Sequence, residues 1–237
     1  MDIIKVKNSD ELGIKAAEIV ASRLKTIENP NIGLATGTTP EKLYANLVQM
    51  CQRGVISFKH TTTFNLDEYV GLAHDDPTSY HYYMEKHLFS GIDINRENAH
   101  VLDGEAKDLE QECTTFEKLI EESGKLHMQI LGLGLNGHIG FNEPGTPFDS
   151  RTHIVELDQV TIEANARFFD SIDDVPTRAL TMGIGTIMEA KEILFLVQGE
   201  KKADILRKVV YGEVTEEVPA SILQRHPNAT LLTDIDL

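Results

Sequence analysis

Two cysteines in 237 residues, Cys51 and Cys113, are too few to form a disulfide framework in a chain of this length. Both fall at apolar positions of expected helices, so buried free thiols and a reducing, cytoplasmic location are expected. No apolar run approaches the ~20 residues that span a bilayer, and no membrane partner is expected. The opening MDIIKVKNSDELG lacks the basic start and apolar stretch of a secretion signal. Basic residues are scarce too. The 22 Lys and Arg against 38 Asp and Glu leave a formal net charge of −16. That argues against nucleic acid, whose phosphates are held mainly by Lys and Arg, although a local pocket can still oppose the global charge and take a small anion. The nucleophile elbow G-x-S-x-G is missing, which removes support for serine hydrolysis. His74, His81 and His87 lie near Asp75 and Asp76 in sequence. None of them pairs at the i, i+4 spacing of a helical metal site, so no metal is expected.

What the chain does have is 41% apolar residues, enough for a substantial core. Short apolar runs recur at Ile32–Ala35, Thr62–Leu66, Ala99–Leu102, Met128–Leu133, Ala179–Met182, Ile193–Val197 and Thr230–Leu232. They are mostly continuous, as strands covered on both faces are. Helical stripes lie between them. One is Leu12, Ala16, Ile19, Val20, Leu24 and Ile27; another is Leu109, Cys113, Phe116 and Ile120. Asn8 followed by Glu11 has the form of a capping box. This βαβα rhythm predicts an α/β fold, a mainly parallel sheet with helices on both faces. No linker or repeat divides it, so residues 1–237 read as a single domain. Residues 142–177 break the rhythm, with Pro144, Pro147 and Pro176 and one short helical piece near Ile162–Phe169. Such a segment is either a lid or binding loop or a plain surface excursion.

Ligands of open α/β sheets bind beyond the carboxyl ends of the strands. After the first apolar run, Thr36-Gly37-Thr38-Thr39 leads into Pro40 and a helix, with Thr39 expected as N-cap and Pro40 as first helical residue. Free amides, a glycine and hydroxyls there suit a phosphate, though an ordinary well-capped turn has the same look, and the Walker spacing is absent. Asp67 and Glu68 follow the second run, either as a desolvated general base or as solvated loop acids. After Met128–Leu131 comes Gly132-x-Gly134-x-x-Gly137, the dinucleotide spacing. That fingerprint requires a helix beginning at its glycines. Here Gly140, Pro144, Gly145 and Pro147 leave no room for one. Glu156, near the place of a ribose-binding acid, is then a coincidence, and no cofactor is expected. Asn136, His138 and Glu143 remain as a tight loop able to move protons near neutral pH. Arg167 and Lys202 either complete an anion pocket or are plain surface charges.

The segments ATGTTPEKLY, FNLDEYVGL, LGLGLNGHIGFNEPG, NARFF, GEKKA and PASILQRHP, in this order along nearly the whole chain, resemble the glucosamine-6-phosphate deaminase family. The resemblance implies conversion of glucosamine 6-phosphate and water to fructose 6-phosphate and ammonia, without cofactor or metal, as a step of amino-sugar catabolism. It implies a modified Rossmann-like fold with a mobile lid at about 156–178. Asp67 would move the proton between C2 and C1, His138 would assist ring opening, and Glu143 would orient His138. Thr36, Gly37, Thr38, Thr39, Arg167 and Lys202 match phosphate-binding positions. Two departures stand out. Well-known members have Asp at the place of Asn136, whose amide oxygen is expected to accept from His138 without the charge that stabilises an imidazolium. Allosteric hexameric members have Arg and Lys at the places of His153 and Val155. No activation by N-acetylglucosamine 6-phosphate is therefore expected, and a monomer is expected ahead of a homo-oligomer. The alternatives are a sugar-phosphate lactonase of the 6-phosphogluconolactonase kind and a non-catalytic sugar-phosphate sensor.

Overall fold

The computed structural model describes residues 1–237. In chain order its elements begin β1 (Asp2–Lys5), α1 (Ser9–Thr26), β2 (Asn31–Leu34), α2 (Glu41–Gln52), β3 (Thr62–Asn65), β4 (Asp67–Tyr69), α3 (Tyr80–His87), β5 (Ala99–His100) and α4 (Leu109–Glu122). They continue with β6 (Met128–Leu131), β7 (His153–Glu156), α5 (Gln159–Asn165), β8 (Arg178–Thr181), α6 (Ile184–Met188), β9 (Ile193–Val197), α7 (Ala203–Tyr211) and β10 (Ala229–Thr233). Seven strands make one sheet in the order β1-β10-β9-β6-β2-β3-β5. Every neighbouring pair in it is parallel. The expected parallel α/β sheet is thus what forms. β2, β6 and β9 are buried at every position, which is why their sequences read as nearly continuous apolar runs, broken only by the buried polar Asn31 and Gln129. The stripes behave likewise: Leu12, Ala16 and Val20 of α1 and Cys113, Phe116 and Ile120 of α4 are buried, and Phe116 meets Phe64 of β3 edge-on at 5.7 Å. No helix is long and apolar enough to cross a membrane.

From β2 the chain steps outward to β3 and β5, then returns to the other side of β2 to lay down β6, β9 and β10. The β2–β6 boundary is therefore the point where strand order reverses, and the loops leaving these two strands diverge there to open a crevice. The loop Thr36–Thr39 and the stretch Gly132–Gly134 lie at that crevice.

Several expectations need correction. The run Ala179–Met182 does not join the parallel sheet. Its strand β8 pairs antiparallel with β4 and β7 in a separate three-stranded sheet. Ala179, Leu180 and Thr181 are buried on both sides there as well, so their composition cannot tell one sheet from the other. β1 has no apolar run because it is an exposed edge strand. Asn8 caps α1 through the amides of Asp10 and Glu11, but the Glu11 carboxylate reaches back to the Lys7 amide, one residue beyond a true box. α2 starts one residue late: Pro40 occupies the N-cap position and Thr39 makes no capping bond. The helical piece in the irregular segment is α5, followed by a single 3-10 turn at Ala166–Phe168. Cys113 is buried, whereas Cys51 is only partly so, its thiol 3.2 Å from Asp93 Oδ1.

Candidate active site

The Gly132–Gly137 spacing is explained by the turn it builds. Gly134 N donates to His138 O and Gly137 N donates to Gly134 O, and Gly137 has φ +94°, the left-handed region that glycine enters freely. A Cβ on Gly134 would sit 2.3 Å from His138 Nε2, so only glycine lets the imidazole fold over the backbone. No helix leaves this turn. It presents His138 to the crevice instead of a pyrophosphate to a helix end.

Behind His138 lies a buried polar group. His138 Nδ1 is 3.3 Å from Glu143 Oε2. Glu143 also accepts from Thr161 Oγ1 at 2.5 Å and from Asn136 Nδ2 at 2.7 Å. Burial raises the Glu143 carboxyl, but these three donors outweigh it and hold the group below the ordinary range, as a carboxylate. Asn136 differs from expectation. Its amide oxygen accepts from the backbone N of His138, not from the ring, and its Nδ2 is shared between Glu143 and Asp158.

Asp67 arrives from the second sheet. It faces Thr181 across the β4–β8 ladder. Thr181 Oγ1 accepts from Phe141 N, and Asn142 Nδ2 donates to Met182 O, so the small sheet is riveted to the His138 loop. Asp67 is 6% exposed, its Oδ1 has no hydrogen-bond partner, and burial together with the Glu68 charge pushes its pKa up to about 8. An unpaired buried carboxyl oxygen is costly and rare, and is typical of a group awaiting a reactant.

A cleft of about 510 Å³ is lined by Thr36–Thr39, Asp67, His138, Arg167 and Lys202. The structure thus gathers those eight sequence-predicted residues, while Glu143 and Asn136 stand behind His138, off the cleft surface. Gly37 has φ +91°, turning the loop after β2 tightly at the crevice. Lys202 closes the 3-10 turn Glu200–Lys202, just before α7, and donates to Leu133 O. Burial and the nearby Arg167 charge lower its pKa to about 8. Arg167 stacks on Phe168 at 4.7 Å. A positive corner is thereby set into an acidic molecule, opposite the loop amides.

Some participants had no signal in the sequence. Thr161 Oγ1 bridges Glu143 and His138, at 3.4 Å from His138 Nδ1, and Tyr80 and Lys201 line the cleft. Thr161 stands 18 residues from Glu143 in a segment without periodicity, and only the fold joins them.

The family model described as "Glucosamine-6-phosphate isomerases/6-phosphogluconolactonase" matches residues 7–232. Glucosamine-6-phosphate deaminase of Oceanobacillus iheyensis is 54% identical over 99% of this chain and 94% of its own length; that of Shouchella clausii is 52% identical over 99% and 95%. A solved monomeric glucosamine-6-phosphate deaminase superposes with a TM-score of 0.97 at 47% identity, covering 98% of this chain and 97% of that one. A 6-phosphogluconolactonase from Thermotoga maritima, 20% identical with a TM-score of 0.76 over 98% and 96%, shares the fold. The chain belongs to the family of glucosamine-6-phosphate isomerases and 6-phosphogluconolactonases.

Proposed function

We propose that this enzyme converts glucosamine 6-phosphate and water to fructose 6-phosphate and ammonia. The observation that carries the reading is the buried, unpaired Asp67 carboxyl, which lines one cleft with His138 and the Thr36–Thr39 loop. The high identity to deaminases over nearly the full length supports it.

The phosphate seats against the Thr36–Thr39 amides and hydroxyls, with Arg167 and Lys202 opposite. Anchoring the far end of the sugar sets C1 and C2 beside Asp67. His138 passes a proton to the ring oxygen as the C1–O bond opens, and Glu143 holds the imidazole for that transfer. Asp67 takes the C2 proton and returns it to C1, while the ammonium group at C2 gives up a proton that the C1 oxygen takes, leaving a protonated imine at C2. Water adds to that carbon and ammonia departs. One carboxylate reaches both carbons because they are neighbours on one face of the opened chain. Asp67 must be ionised to act, so the kcat/KM of the free enzyme rises as pH passes through about 8. Residues 156–178 act as the lid over this reaction, with Arg167 as its phosphate contact. The enzyme works as a cytoplasmic monomer in the use of N-acetylglucosamine. It needs no activating N-acetylated sugar phosphate: His153 and Val155 offer no such anchor, and Arg151 is held by Glu117 and Glu189 of its own chain.

Ammonia release from glucosamine 6-phosphate, measured for the wild type and Asp67→Asn, tests the reading. Turnover by the wild type with a loss of at least about 10³-fold in the variant is expected. Hydrolysis of a phosphogluconolactone without ammonia release, or tight sugar-phosphate binding without turnover, would replace it.

A further inference from the structure

Next to Asp67 on β4, Glu68 is buried but does not line the cleft. Its Oε1 accepts from the amides of Tyr69 and Tyr80 at 2.8 and 3.0 Å. Its Oε2 accepts from the amide of His81 at 2.9 Å and lies 3.0 Å from His81 Nδ1. Two of these amides belong to the first turn of α3, so Glu68 serves as an anion at a helix N-terminus. The three amides would satisfy that role alone, and the His81 ring is a fourth donor. His81 in turn stacks on His74, with centroids 3.7 Å apart and planes 10° apart. His74 Nε2 is 3.3 Å from Asp103 Oδ1, and the His74 side chain is 55% exposed. A continuous chain of contacts therefore runs from solvent through Asp103, His74 and His81 to Glu68, the charge beside Asp67.

We propose that His81 is a positioning residue for Asp67: its Nδ1–H donates to Glu68 and fixes how strongly that carboxylate acts on its neighbour, while His74 and Asp103 hold the ring from outside. The inference rests on Asp67 being the base of the proposed reaction. The titratable groups facing Asp67 are Glu68 and Tyr69 on its own strand, Tyr80 from α3 and Tyr44 from α2, with His138, Arg167 and Lys202 across the cleft. Those facing His81 are Glu68 and His74, with Asp103 behind. The tyrosines are neutral in the working pH range, their hydroxyls pushed up mainly by burial. Glu68 is then the one acidic side chain beside Asp67 on its own strand, and His81 is its only side-chain donor. Removing that donor leaves more uncompensated negative charge beside Asp67, which then keeps its proton to higher pH.

Two readouts test this: the Asp67 carboxyl followed by carbon-13 NMR, assigned with Asp67→Asn, and the pH profile of kcat/KM for ammonia release. In His81→Leu the Asp67 midpoint and the acidic limb should both move up by about 0.5 pH or more, roughly a threefold loss of rate on the acidic side. The alkaline plateau should stay within about twofold of wild type, as expected when only a pKa moves. His81→Asn, whose amide reaches the Nδ1 position, should restore at least half of the shift. An unchanged Asp67 midpoint in His81→Leu, or a rate loss equal at every pH, overturns the proposal. Should His81→Leu fail to fold, His81→Asn and His81→Gln carry the test. Gln reaches the Nε2 position instead, so identical Asp67 midpoints in the two variants overturn it. The NMR titration does not depend on turnover. Absent ammonia release with an Asp67 midpoint that still responds to His81 would sink the deaminase reading and leave the coupling standing.

Discussion

At the scale of single residues, Asn136 shows how one atom's identity organises its surroundings. Its Nδ2 stands between two carboxylates, 2.7 Å from Glu143 and 3.2 Å from Asp158, and relieves their repulsion while leaving Glu143 free for His138. An Asp at this position would replace the shared donor by a third negative charge. Protons would then bind the His138–Glu143 pair more tightly. Asn136→Asp is therefore expected to move the alkaline limb of the kcat/KM profile to higher pH, because His138 must carry the proton it donates, and to destabilise the fold at neutral pH by about 1–3 kcal/mol, the cost of stranding a buried acceptor. A superimposable pH profile would refute the first part, and an unchanged Tm the second. Asp67, His138 and Glu143 were legible in the sequence because each follows closely on an apolar run, where α/β sheets place ligands. The direction in which Asn136 donates was not legible. An amide can point either way, and its partner Asp158 comes from a segment whose fold periodicity does not reveal.

At the scale of elements, the second sheet does what the large one cannot. The loops at the β2–β6 boundary supply the Thr36–Thr39 turn and His138; β3 delivers Asp67 beside them, and the pairing of β4 with β8, itself tied to the β6 loop through Thr181 and Asn142, fixes it there. The sequence rhythm gave the run Ala179–Met182 as one more parallel strand, since burial on both faces erases the alternation that would mark an antiparallel ladder. Next to this sheet, Tyr69, Phe141, Leu157 and Ala179 form a small apolar cluster separate from the main core, with Ile162 and Phe169 packed against it. Asn165 Nδ2 donates to Tyr69 OH at 2.9 Å. α5 and the turn after it thus rest on few buried groups, the usual condition for opening at low free energy. Amide exchange in residues 159–175 is expected to be faster than in β6 and β9, and to slow at least about threefold when inorganic phosphate engages Arg167. Equal protection of this segment with and without phosphate, in a protein shown to bind phosphate, would argue against a lid.

At the scale of the whole molecule, the unpaired base carries a cost in stability. In the folded chain Asp67 titrates at about 8, well above the ordinary 3.8, because of burial and then Glu68. Between those values the folded state holds a proton that the unfolded chain has released, so stability falls as pH rises from about 4 to about 8. Asp67→Asn removes this dependence. The variant should be close to wild type near pH 4.5 and more stable near pH 8.5, by on the order of 2–4 kcal/mol or several degrees in Tm. Lys202, lowered to about 8 by burial and Arg167, contributes stability of the opposite slope between about 8 and 10.5, but it is present in both proteins and largely cancels in the comparison. Matching Tm values for the two proteins at both pH values would show that Asp67 is not strained in this way.

The order of the large sheet also has a consequence for synthesis on the ribosome. β1 pairs with a single strand, β10, and β10 fills the place between β1 and β9. The first strand to emerge therefore has no docking edge until the last has been made, roughly two hundred residues later. At about 5–20 residues per second that interval is tens of seconds. Throughout it Ile3 and Ile4 hang on an undocked segment, and once β9 is made it stays an open edge until β10 follows. A nascent chain halted before Ala229 holds every residue of the cleft, yet it lacks the strand that closes the sheet.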